Sequence, residues 1–349
     1  MRTRNRTYPS GWKLAAFVVL STLTGLVWPS GAEAQLLPTL GGDRAGTSGY
    51  QFLKIPVDAR ASALGESVVA TAFDATALYW NPALAAYLPG THVGVHHTAY
   101  FVDIRLEYAA ATYNIPGTTI TVGGSLQTLN SGEMDVTTEF QPLGTGETFN
   151  LIDIAAGLTF AQQMTDLFAY GVTTKYVSER VAGLSAETVV FDVGFMYFVG
   201  NTGAQLAVSV RNFGFDGRPE GELARTVIDE NPVLIEDEFE SLTPPTTFHL
   251  GFAYEALRNR EHSSVLVSSQ LNNPNDNAEN WNVGVEYGWS ETVFLRAGYR
   301  FGIEEVTVPS AGVGIAVPVV GSSFRFDYSF NRLERLGNVH RVGLNIGFN

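Results

Sequence analysis

The sequence predicts an all-β fold: a transmembrane antiparallel β-barrel of about 14 strands with an N-terminal plug segment inside its lumen. Three observations lead there. From His92 onward the chain alternates apolar and polar side chains with a period of two. The alternating stretches are about ten residues long, the length of a tilted strand across a bilayer. The connections between them are short and long in turn, as in barrels with tight turns on one side of the membrane and loops on the other.

The first element precedes the barrel. Arg2, Arg4, Arg6 and Lys13 lead into an apolar stretch from Leu14 to Val27, followed by Ala32-Glu33-Ala34. This is the pattern of an export signal, cleaved to leave Gln35 first, and the apolar stretch is short for a membrane-spanning helix. Residues 1–34 are therefore expected to be removed. The remaining chain would carry 17 basic against 34 acidic residues, a net charge of −17. Such a field argues against nucleic acid as a partner. Cysteine is absent, which rules out disulfides, thiolate metal sites and lipid attachment through a terminal Cys.

The second element, residues 35–90, lacks the period of two. It is rich in Ala and turn residues and includes Pro82-Ala83-Leu84-Ala85-Ala86-Tyr87, where Pro suits a first helical turn. A segment of this kind is suited to filling a lumen.

The third element, residues 91–349, is the barrel. Its strands are expected near 92–101, 104–115, 118–128, 149–160, 166–178, 187–199, 203–212, 246–256, 262–271, 280–289, 292–302, 308–318, 322–331 and 339–349. The alternation is clearest late in the chain. Trp281, Val283, Val285, Tyr287 and Trp289 share one face, with Asn282, Gly284, Glu286 and Gly288 on the other. Trp281 and Trp289 would project roughly 20 Å apart along the barrel axis, close to the spacing of two aromatic girdles. The last strand should close on the first, with Val342, Leu344, Ile346 and Phe348 toward lipid and Arg341, Gly343, Asn345 and Gly347 inward. Longer loops are expected at Leu129–Thr148, Glu179–Ala186, Phe213–Pro245 and Asn272–Glu279, all at one end.

Residues 49–66 read GYQFLKIPVDARASALGE, and residues 74–83 read DATALYWNPA. These stretches resemble the opening of PorV/PorQ family outer-membrane proteins, with Leu64-Gly65-Glu66 where that family more often has Met-Gly-Gly. The resemblance implies the architecture of FadL-like barrels, with Asp74, Trp80, Asn81 and Pro82 forming the plug motif. It also implies a cell outer membrane location and service in the type IX secretion system. The partners would then be outer-membrane lipid together with a secretion translocon, or the C-terminal domains of cargo. The shared architecture carries a second implication, transport of small hydrophobic compounds.

Candidate sites follow from the residues themselves. In the loop 213–245 the apolar Val233, Leu234, Ile235 and Phe239 lie among Asp229, Glu230, Glu236, Asp237, Glu238 and Glu240. An apolar strip in an acidic loop suits a docking protein, whereas the acidic run alone is more often a solvated face. His92 and His96 share a strand face about 13 Å apart, too far to hold one ion, and no metal or cofactor is expected. Arg105, Glu107, Asp192, Arg296, Arg300, Arg325, Asp327 and Arg341 are expected to point inward and to pair with one another or with the plug. No catalytic motif is present, and the chain is not expected to be an enzyme.

Overall fold

The computed structural model describes residues 45–102, 104–221, 239–257 and 263–348. The expected signal, residues 1–34, lies outside them. Fourteen antiparallel strands close into one barrel. They are β1 Thr91–Ala99, β2 Arg105–Asn114, β3 Ile120–Asn130, β4 Leu151–Thr165, β5 Phe168–Val181, β6 Leu184–Phe198 and β7 Ala204–Gly214. The second half comprises β8 Thr247–Glu255, β9 Ser263–Pro274, β10 Asn280–Trp289, β11 Val293–Phe301, β12 Ser310–Val319, β13 Ser322–Leu333 and β14 Gly337–Phe348. Each neighbours the next in sequence, and β14 returns to β1, with Thr91 opposite Phe348 and Ala99 opposite His340.

The two faces of the wall are inverted relative to a water-soluble protein. Trp281, Trp289, Leu295, Phe252 and Phe326 stand exposed on the outside, whereas Asp192, Gln270, Arg296, Asp327 and Ser329 are buried inside. So wide a belt of apolar side chains is stable against hydrocarbon, and the polar lumen pairs its charged groups Arg60, Glu286, Arg296 and Asp327 internally. No helix among the described residues is long and apolar enough to cross a membrane; the crossing is made by strands.

Three expectations need correction. Glu179–Ala186 is not a loop: β5 and β6 stay paired up to Val181 opposite Leu184. Ala182 and Gly183, with φ of 48° and 88°, make the tight turn that the twist of a hairpin favours. These strand ends carry charge on both faces (Glu179, Arg180, Glu187), so no alternation marked them. The connection within Asn272–Glu279 is likewise only residues 275–279, because β9 runs to Pro274. Lastly, Arg105 and Glu107 point outward. On β2 it is Leu106, Tyr108 and Ala110 that face in. The plug supplies the reason: the Tyr108 ring lies 6.0 Å from that of Tyr79, so the apolar partner of this strand is inside the barrel.

The interior of the barrel is filled by residues 50–88, most of them buried. The segment begins at the mouth bearing the connections 131–150 and 215–246, where Ser48 bridges Thr243 and Lys54 Nζ meets Asp276 at 2.9 Å. It crosses the lumen through α1 Ala59–Ala63, packed on β11–β14, and α2 Ala77–Trp80. A 3₁₀ turn, Pro82–Tyr87, packs on β3–β6. At the opposite, short-turn mouth Phe73 stacks on Phe198, and Tyr87 meets both rings edge-on before the chain enters β1.

Candidate functional site

Asp58, extended at φ −127°, accepts a hydrogen bond from Ala61 N at 2.8 Å and so caps α1. Its other oxygen accepts from Trp80 Nε1 at 2.7 Å. One carboxylate thus ties the start of the first plug helix to the end of the second. Burial pushes the Asp58 carboxyl above its ordinary range.

Asn81 caps the 3₁₀ turn, its Oδ1 accepting from Ala83 N at 3.1 Å, while Pro82 takes the first helical position. The Asn81 amide donates to Val69 O at 2.9 Å and, across to the wall, to Phe195 O at 3.2 Å. The wall is cut to receive it. A Cβ at Gly194 would overlap Asn81 Oδ1, and one at Gly171 would overlap the Pro82 backbone. The same holds across the lumen, where a Cβ at Gly284 would stand 2.6 Å from Leu64 O. Much of the glycine excess in the sequence is clearance for the plug.

Asp74 ends a chain of alternating charges. Arg60 of α1 grips Glu286 through two bonds of 3.0 Å, and Glu286 accepts from Arg296 at 2.5 Å. Arg296 reaches Asp327 at 2.6 Å, Asp327 accepts from Arg325 at 2.9 Å, and Arg325 donates to Asp74. Three guanidinium groups face three carboxylates, so the string is neutral, and both of its ends belong to the plug. Burial alone would raise Asp74. The adjacent Arg325 and the Thr76 hydroxyl outweigh it and hold the carboxyl well below the usual range. Of the expected inward set, Asp192 pairs with Lys175 at 2.5 Å, Arg300 with Glu66 at 2.5 Å, and Arg341 donates to Pro56 O and Asn331.

Of the four expected plug-motif residues, Trp80 bonds within the plug, Asn81 and Pro82 lie against β5 and β6, and Asp74 meets β13. Asp58, Arg60 and Glu286 join them and were missed as site residues. A lone Asp before a short Ala-rich run is a recognisable cap signal, but only the fold brings Glu286 to Arg60. Arg211 was missed as well. At β7 the register slips between Phe191 and Val193, and Asn212 adopts φ 55°. This bulge turns both Arg211 and Asn212 inward. The Arg211 guanidinium lies 3.7 Å from the centre of the Tyr79 ring and 5.4 Å from that of Trp80.

Of the expected docking strip, Val233, Leu234 and Ile235 lie outside the described residues, and Phe239 is half-buried beside the mouth. Among the described residues His, Asp and Glu nowhere gather as a metal site.

The family described as type IX secretion system protein PorV matches residues 41–271, well over half of the chain. No curated protein matches it in sequence. Among solved structures it is similar to the toluene transporter TodX of Pseudomonas putida, with a TM-score of 0.56 at 12% identity over 83% of this chain and 96% of that one. The toluene transporter TbuX of Ralstonia pickettii gives 0.55 at 12% identity, covering 87% and 100%. A FadL homologue of Pseudomonas aeruginosa gives 0.52 at 11%, covering 84% and 98%. At these identities the likeness is one of fold: a FadL-like β-barrel.

Proposed function

The chain belongs to the PorV family of type IX secretion system proteins, and from that membership we propose that it serves secretion by docking cargo, through C-terminal domains, or a translocon subunit at its long-loop mouth. As a member of that family it is an outer-membrane barrel and not an enzyme. In this reading residues 1–34 leave as the export signal, 35–90 stay as the plug, and the long-loop mouth faces the cell exterior. The observation that carries the docking role is the filled lumen. With residues 50–88 packed inside, a secreted protein has no passage through this barrel, so contact with it falls to the mouth and its loops. The strip Val233, Leu234, Ile235 and Phe239, set in an acidic loop, is the docking element we assign.

Co-purification from outer membranes tests this. The intact protein should bring down a secretion subunit or a cargo C-terminal domain, and a variant with Val233, Leu234, Ile235 and Phe239 changed to Ser should lose it while still folding. Recovery of the barrel alone from wild-type membranes defeats the proposal.

A second reading, passage of small hydrophobic compounds, draws on the fold shared with the toluene transporters. A shallow apolar groove of about 670 Å³ on the outer face of β1–β5, floored by Ala109, Ala111, Gly124 and Ala156, also favours it. Resistance of whole-cell uptake to deletion of the gene would exclude that reading.

A further inference from the structure

We propose that the cavity inside the long-loop mouth is a carboxylate-binding site centred on Arg211. The cavity holds about 460 Å³; Arg211, His249 and Trp80 line it, and of its acidic wall Glu66 is held by Arg300 and Glu305 by Arg335, with Glu304 at the rim. Asn277 and Glu304 at its rim are exposed, so it opens to that mouth.

Arg211 is 4% exposed, and among the described residues it has no carboxylate partner. One η nitrogen donates to Leu53 O at 3.3 Å, and Nε has no hydrogen-bond partner. Burying a guanidinium without a counter-charge is costly. Other buried cations here are neutralised: Arg60, Arg296 and Arg325 in the string of charges, Lys175 by Asp192. Arg341 also lacks a carboxylate, but it directs its donors at Pro56 O and Asn331, and it does not line this cavity.

A second unpartnered group faces the same space. His249 is 7% exposed; its Nδ1 is held 2.6 Å from Asn272 Oδ1, and its Nε2 has no partner. Arg211 Nε is the donor left without a partner here among the described residues; His249 Nε2 on the neighbouring strand β8 is an acceptor once Nδ1–H is given to Asn272 Oδ1, so a carboxylate would be held by Arg211 alone. The bulge at Asn212 is what makes room for Arg211 inside. The partner chemistry that satisfies a fixed guanidinium fork is a carboxylate. Trp80, Pro274 and Ile303 offer apolar wall for whatever carries it. The volume suits a short-chain organic acid or the last residues of a peptide, and both present the same group. This inference does not depend on the secretion reading.

Titration calorimetry on the full chain in lipid nanodiscs tests it with two pairs of probes: hexanoate against hexanamide, and an acetylated tetrapeptide with a free C-terminus against its amide. At least one acid should bind about tenfold or more tightly than its neutral counterpart. The Arg211→Gln variant should lose that preference, and Arg211→Lys should keep part of it. Binding of the peptide acid alone assigns the site to chain termini, and binding of hexanoate alone to small organic acids. If neither acid binds, if acid and amide bind equally, or if a folded Arg211→Gln variant binds as the wild type does, the proposal is overturned. Should Arg211→Gln fail to fold, the acid-against-amide comparison on the wild type decides alone.

Discussion

Asp74 is where the plug is fastened electrically. Replacing it with Asn leaves Arg325 sharing Asp327 with Arg296, one positive charge in excess in a closed space. The expected loss is about 3–5 kcal/mol of unfolding free energy, read by urea titration of the barrel in detergent. Removing both partners, Asp74→Asn with Arg325→Met, should cost less than the two single changes added together, because neither then leaves a lone charge. The pH dependence has a defined sign. A carboxyl held below its ordinary value contributes stability that is complete above about pH 4 and is lost only as pH falls further. The urea midpoint should therefore be flat through this group from pH 8 to 5 and should decline on stronger acidification. At this scale the sequence was legible where a signal is local: Pro82 announces a first helical turn, and it stands there. Glu286 and Arg60, 226 positions apart, carry no sign of each other until the wall brings them together.

At the scale of elements, Gly171 of β5, Gly194 of β6, Gly284 of β10 and Gly298 of β11 are places where plug atoms press closest against the wall. Gly194→Val should unseat the 3₁₀ turn at a cost of about 1–3 kcal/mol or more, and the plug should become cleavable by added protease while the barrel stays intact. The outer face obeys a different rule. Val285 sits between the two tryptophans of β10 and is exposed, so Val285→Arg should cost about 2–4 kcal/mol in folding into vesicles. The same change in a solvated loop should cost little. Strand number and the β1–β14 seam were readable because the period of two is imposed by lipid on one side. The phase of β2 was not, because the plug offers Leu106 and Tyr108 an apolar surface on the inner side. The extra height of β5 and β6 also escaped notice, since above the bilayer neither face needs to be apolar.

As a whole molecule, the protein is a wall and a filling joined by ion pairs and hydrogen bonds between them. It should fractionate with outer membranes and migrate differently on gels before and after heating, and a single unchanged band would contradict the barrel. The plug enters at one mouth and leaves at the other, and only Pro89 and Gly90 separate its last packed residue, Leu88, from β1. The strand that seals the cylinder, β14, pairs with the strand tied directly to the plug. Threading a charged, knobbly segment through a finished ring would mean stripping water from Asp58, Arg60 and Asp74 together. Laying the N-terminal segment down before β14 closes on β1 avoids that cost, and the β1–β14 seam then encloses it.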